Sequence, residues 1–197
     1  MAETPERTAA IRRGDREVLG QVVRDALPSL LRAARAAGLA QDAAEDAVQD
    51  AVLVLVRRAP EFDGRARVNT WLHGILAHKI REARRAVARH QDHDEIDAMI
   101  EARFRPDGRW AKPPRRPDDA LTQRELRHQI AHCMDTVSAV QRQAFMLREV
   151  EGFTTSEVCK ILDVSANNLG VLLFRARNRL RECLEHHVNR SDDDAVV

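Results

Sequence analysis

The chain has 197 residues, of which 44% are apolar, 32% charged and only 4% aromatic, with no tyrosine. Such a length buries one mid-sized core or two small ones, and the excess of charged over aromatic side chains favours helices over strands. Its longest strongly apolar run, Val52 to Val56, falls far short of the ~20 residues that cross a bilayer, so the expectation is a cytoplasmic chain without membrane insertion or a targeting signal.

A first helical block is expected from about Asp15 to Arg89, broken near Gly38 and again over residues 60–67. Inside it, QDAAEDAVQDAVLVLVRR opens with Asp42 and Glu45 at capping-box spacing, and its apolar face runs through Ala44, Ala47, Val48, Ala51, Val52 and Leu55. At about 100° per residue the opposite face collects Asp42, Asp46, Gln49, Asp50, Leu53 and Arg57. An acidic stripe of this kind is either an ordinary solvated face or a docking surface for a basic protein helix, with Leu53 as its apolar anchor.

Glu61-Phe62-Asp63-Gly64-Arg65 then reads as a flexible loop carrying an aromatic residue, and the next helix, from about Val68 to Arg89, buries Val68, Trp71, Leu72, Ile75, Leu76 and Ile80. Its other side places His78, Arg81, Arg85 and Arg89 within about 80° of arc, with Arg84 beside them. Residues 57 to 89 hold nine Lys or Arg against three acids, whereas residues 91 to 101 hold five acids and no Lys or Arg, so the net charge of +1 conceals a segregation. A phosphate backbone fits along the basic stripe, and the loop can receive an unstacked base on Phe62 or Trp71; a merely solvated arginine face is the alternative.

Residues 91–118, with Pro106, Asp107-Gly108, Pro113-Pro114 and Pro117, read as a flexible linker, followed by a second helical block over about Asp119 to His187. Residues 154 to 181 have the pattern of a helix-turn-helix: Thr154 and Glu157 at capping-box spacing, a break at Leu162-Asp163-Val164-Ser165, and Ser165 as N-cap of a second helix. Apolar positions Val158, Leu162, Val164, Leu169 and Leu172 fit that template, with the small Cys159 where the helices cross. Asp163 stands at the turn, and aspartate enters left-handed conformations more readily than most residues.

Ser165, Asn167 and Asn168 can bond base edges or phosphates. Arginines 175, 177, 179 and 181 spread around the helix, so about two of the four are expected on DNA and the others on acids. Three cysteines without CxxC spacing predict a reducing compartment rather than a disulfide framework. All three fall on apolar stripes and read as core packing; a thiol or zinc sensor with His132 or His186 is the weaker alternative, so no metal or cofactor is expected. His90-Gln91-Asp92-His93-Asp94 has the composition of a hydrolase metal site but sits where a helix gives way to the linker.

Three motifs in order carry a resemblance: Ala44-Glu45-Asp46-Ala47-Val48-Gln49-Asp50, then Phe62-Asp63-Gly64 with Thr70-Trp71-Leu72, then Leu147-Arg148-Glu149-Val150-Glu151-Gly152 with Arg175-Ala176-Arg177-Asn178-Arg179-Leu180-Arg181. They resemble the small extracytoplasmic-function type of RNA polymerase sigma factor. The resemblance implies an all-α chain of two small helical domains: residues 10–90 as region 2, a linker at 91–118 and residues 119–188 as region 4; residues 189–197 read as a disordered tail from their own composition. It implies a non-catalytic subunit that binds core RNA polymerase and promoter DNA, directs a stress- or signal-dependent regulon and is held by an anti-sigma factor. Asp42, Asp46, Gln49, Asp50 and Leu53 would dock on the polymerase clamp. Phe62, Arg65, Arg67, Trp71, His78, Arg81, Arg84 and Arg85 would take the minus-ten element, and Ser165, Asn167, Asn168, Arg175 and Arg177 the minus-thirty-five element. The chain departs from the family at His78, commonly asparagine, at Glu82, commonly aspartate, and over Asn168 to Leu173, where a Thr-Val-Lys-Ser-Arg-Leu run is usual. The rival reading is an autonomous dimeric helix-turn-helix regulator.

Overall fold

The computed structural model describes residues 3–87 and 123–194, which contain helices and no strand. The expected linker, Arg89, the His90 to Asp94 cluster and the side chain of Arg85 lie outside the described residues. The chain divides into two units, Met1–Arg89 with Ala139–Leu172, and His90–Ser138 with Leu173–Val197. This partition cuts the second helical block at Ser138 and Leu172.

The first unit opens with a helix that apolar periodicity did not reveal, α1 (Pro5–Arg12). Thr4 caps it through its hydroxyl and Pro5 stands at its start, where a missing N–H costs nothing. Helix α2 (Arg16–Ala36) begins at Asp15, whose carboxylate accepts the N–H groups of Glu17 and Val18, and it runs on through Pro28 to a left-handed Gly38. Helix α3 (Gln41–Arg58) is preceded by Ala40 with no side-chain cap, which corrects the expected role of Asp42: its carboxylate lies within the first turn, where it still favours the positive helix end. A 3-10 turn at Ala59–Glu61 and a loop lead to α4 (Val68–Val87).

Helices α2, α3 and α4 pack against one another. Their inner faces supply Leu30, Ala34, Ala51, Leu55, Leu72 and Leu76, none more than 1% exposed. The alanines let the backbones approach, and the leucines fill the space between them.

The same unit contains α6 (Ala139–Phe145), one wide π-helical turn at Met146–Val150, α7 (Thr155–Leu162) and the first residues of α8 (Ala166–Asp194). The predicted capping box of α7 is present in both directions, Asp163 is left-handed at φ 59°, and the Ser165 hydroxyl accepts the Asn168 N–H at 3.1 Å. Val158, Ile161 and Leu169 are buried, with Leu162, Val164 and Leu172 half-buried.

The second unit holds α5 (Gln123–Asp135) and the remainder of α8. Helix α8 continues to Asp194, into what was expected as a tail from residue 189. Cys133 on α5 and Cys183 on α8 are joined by a disulfide, with Cα atoms 5.5 Å apart. That corrects the expectation of separate core thiols: the partners are 50 residues apart in sequence, so no local spacing announces them. Cys159 remains a free, half-buried thiol.

Candidate functional site

The outer face of α3 is what its periodicity predicts. Asp42, Asp46, Gln49 and Asp50 are exposed, as are Leu53 at 59% and Val56 at 50%. Two aliphatic side chains held in water beside four acids and amides form a surface suited to an amphipathic basic partner, because the apolar pair gains from being covered and the carboxylates from meeting cations.

On α4 the stripe is less open. Arg84 and His78 are exposed, but His78 lies 3.3 Å from Glu82, which also holds Lys79 at 2.8 Å. Arg81 is half-buried and donates to the Leu162 carbonyl at 3.3 Å. Arg65 and Arg67 are exposed on the loop, Arg65 loosely against Asp63 at 3.4 Å.

Phe62 departs from expectation. It is only 3% exposed and stacks on Trp71 with ring centroids 5.0 Å apart, so its face is occupied and cannot receive a base in this conformation. The segment around it is tied down from the N-terminal side: the Glu3 N–H donates to the Gly64 carbonyl, the Glu3 carboxylate caps the Val68 N–H, and α1 packs on the 3-10 turn at Ala59–Glu61. A β-carbon on Gly64, at φ +71°, would come within 2.5 Å of the Thr8 hydroxyl. Half-buried Trp71 keeps a partial surface.

Residues 139–162 touch the bundle through pairings that sequence reasoning did not predict. Thr70 donates to Glu157 at 2.9 Å, Arg32 grips Glu151 at 2.6 and 3.1 Å, and Arg142 donates to the Ala36 carbonyl. Burial pushes the Glu157 carboxyl up, but hydrogen bonds from Thr154 and Thr70 and the charge of Arg67 outweigh it and hold the group below its usual range. Glu151 is likewise raised by burial and lowered further by Arg32 and Ser29.

Between them lies His73, 1% exposed, its ring edge against Phe153 at 4.8 Å. Burial lowers its pKa. In the neutral ring, Nδ1–H donates to the Asn69 carbonyl and Nε2 accepts from Ser29 at 2.9 Å. Glu151 competes for the same hydroxyl proton.

Ser165, Asn167 and Asn168 are exposed together at the start of α8. Further along, in the second unit, Arg177 is exposed and Arg175 half-buried; Arg179 and Arg181 pair with Glu182 and Glu185 at 3.8 and 2.6 Å.

Two family models match the chain: sigma-70 region 2 over residues 22–90 and sigma-70 region 4 over residues 127–180. The chain belongs to the sigma-70 family, with the extracytoplasmic-function sigma factors. A probable RNA polymerase sigma factor of Haemophilus influenzae is 28% identical over 131 residues, 62% of this chain and 67% of that protein. The sigma-E factor of Salmonella typhimurium is 26% identical over 134 residues, 68% of this chain and 70% of that one.

Two solved structures share the fold. CnrH, in complex with the cytosolic domain of CnrY, superposes with a TM-score of 0.62 at 20% identity, covering 91% of this chain and 96% of that one. The sigma factor RpoE, in complex with the anti-sigma factor NepR from Bartonella quintana, gives 0.60 at 22%, covering 84% and 96%. Sigma-family membership implies RNA polymerase binding and promoter-specific initiation, and sigma factors are non-catalytic subunits. Among the described residues, no helix is long and apolar enough to cross a membrane.

Proposed function

We propose that this chain is a cytoplasmic sigma subunit that docks on core RNA polymerase through the outer face of α3, supplies no chemistry of its own, and directs initiation at a stress- or signal-dependent set of promoters. The observation that carries the reading is the outward presentation of Asp46, Gln49 and Asp50 around an exposed Leu53. Region 2, within residues 10–90, would hold the minus-ten element along Arg65, Arg67, Trp71, His78, Arg81, Arg84 and Arg85. Phe62 would join only after its stack on Trp71 opens. Region 4, within residues 119–188, would hold the minus-thirty-five element through Ser165, Asn167, Asn168, Arg175 and Arg177, with residues 91–118 as the linker between them.

Engaging DNA along α4 exchanges the bond from Arg81 to Leu162 for phosphate contacts. With few basic groups at the start of α8, the grip on the minus-thirty-five element is dominated by phosphates and duplex shape rather than base readout. An anti-sigma factor covering these surfaces is the expected regulator, in keeping with the complexes of CnrH and RpoE.

Transcription in vitro with purified core enzyme over genomic fragments tests the proposal. Discrete start sites that require this chain are expected. Tight, specific DNA binding by the chain alone, with no stimulation of core enzyme, would instead establish an autonomous regulator.

A further inference from the structure

The second unit contains a cluster that promoter recognition does not use. Cys183 and His187 stand four residues apart on α8, so both project from one side of the helix, and α5 brings Cys133 to meet them. The two Sγ atoms and one ring nitrogen of His187 all lie within 4.8 Å of one another. The ring of His132, next to Cys133 in sequence, has its centroid 5.2 Å from that of His187.

We propose that Cys133, Cys183 and His187, once the cysteine pair is reduced, bind one zinc ion. Two thiolates and an imidazole form a soft donor set that selects zinc over magnesium or calcium. Tetrahedral zinc with Zn–S bonds of about 2.3 Å holds its donors roughly 3.3–3.8 Å apart, so on reduction the two sulfurs part from bonding distance while the His187 nitrogen already lies within 4.8 Å of both. His132, exposed on α5, or a water completes the coordination.

Burial gives the site both its need for a cation and a path for one. Cys133 is fully buried, where a lone thiolate is costly, while Cys183 and His187 are half-buried and open to solvent. A dithiol reductant delivers two electrons and two protons to the disulfide, leaving two thiols and itself becoming a disulfide. Zinc then displaces both thiol protons to water. In reverse, hydrogen peroxide accepts two electrons from the zinc-bound thiolates, takes two protons to become two waters, restores the disulfide and releases the ion.

None of the three donors belongs to the surfaces assigned to polymerase or DNA, so the site stands or falls apart from that assignment. The test uses the full chain, reduced with a phosphine, incubated with zinc, desalted and analysed for metal, with cobalt as the spectroscopic probe. One equivalent of zinc per reduced chain is expected, with less than a tenth of an equivalent in the disulfide form. Cobalt should give a thiolate-to-metal charge-transfer band. His187→Ala, which leaves the disulfide and its packing intact, should weaken zinc binding at least tenfold. Cys183→Ser should abolish the band, and Cys159→Ser should change neither reading. Circular dichroism shows that each variant keeps its helices. No zinc on the reduced chain, or wild-type affinity in His187→Ala or Cys183→Ser, would overturn the proposal, retained metal in those variants being adventitious.

Discussion

Helices α3 and α4 are neighbours of opposite charge, and the fold treats their outer sides differently. On α3 the acidic side is left to water, with Leu53 and Val56 in it. On α4, Thr70 and Arg81 are given to α7 and the turn that follows it, and only part of the basic side is open. A preformed surface can be used without prior rearrangement. An engaged one exchanges existing contacts first, on the order of 1.5–3 kcal/mol for a hydrogen bond to a charged group. Docking on a protein partner therefore needs less reorganisation of this chain than gripping DNA along α4.

The largest test of this contrast compares the two sides of α3. Leu55→Ala, on the fully buried face, should cost about 2–5 kcal/mol of stability in urea unfolding, whereas Leu53→Ala should stay within roughly 0.5 kcal/mol and instead weaken core-enzyme binding. Equal losses of stability would mean that α3 has no free side. Next, Asp46→Lys with Asp50→Lys should reduce association with core enzyme about 100-fold, some 2.7 kcal/mol, with unchanged circular dichroism. Normal association would remove the docking assignment.

The closed side of α4 is open to pH. The pKa of His73 is lowered by burial, so below the unfolded value of about 6.5 the unfolded chain binds a proton that the folded one refuses. Stability should fall as pH drops through that window, by up to about 1.4 kcal/mol per unit, and this component should vanish in His73→Gln. Glu151 and Glu157, both held low, keep their contribution above their unfolded values and lose it only as more acid protonates them. Glu157→Gln should cost about 1 kcal/mol, because it keeps the size of the side chain but loses the charged capping box and the acceptor for Thr70.

The smallest effect concerns salt. Arg84→Ala should lower the slope of log affinity against log salt for duplex promoter DNA by about 0.9, and Arg81→Ala by a similar amount only if its bond to Leu162 is released in the complex. An unchanged slope in Arg84→Ala would make that side of α4 a solvated surface and nothing more.

Local rules carried much of this into view from sequence. The capping box of Thr154 and Glu157, left-handed Asp163, the Ser165 cap and the faces of α3 and α4 all follow from spacings within one or two turns. What escaped depends on residues far apart in the chain. Phe62 is closed by its stack on Trp71, and the loop that carries it is held by Glu3 across 65 positions through Val68. Glu151 and Glu157 find Arg32 and Thr70 across 119 and 87 positions, and Cys133 finds Cys183 across 50. Helix α1 was missed differently: its Thr4-Pro5 start was readable, but it has little apolar stripe beyond Ile11 to suggest burial. The cysteines were expected to find His132 or His186, whereas His187, one turn after Cys183, stands beside the disulfide.

Gly64 and Thr8 have one more consequence. The region 2 match begins at residue 22, downstream of α1 and the first turns of α2. A fragment cut at that boundary loses the Glu3 cap on Val68 and the Thr8 side chain beside Gly64, two ties on the loop that carries Phe62. Such a fragment would hold the stack of Phe62 on Trp71 less firmly, so its appetite for single-stranded DNA would overstate that of the longer chain.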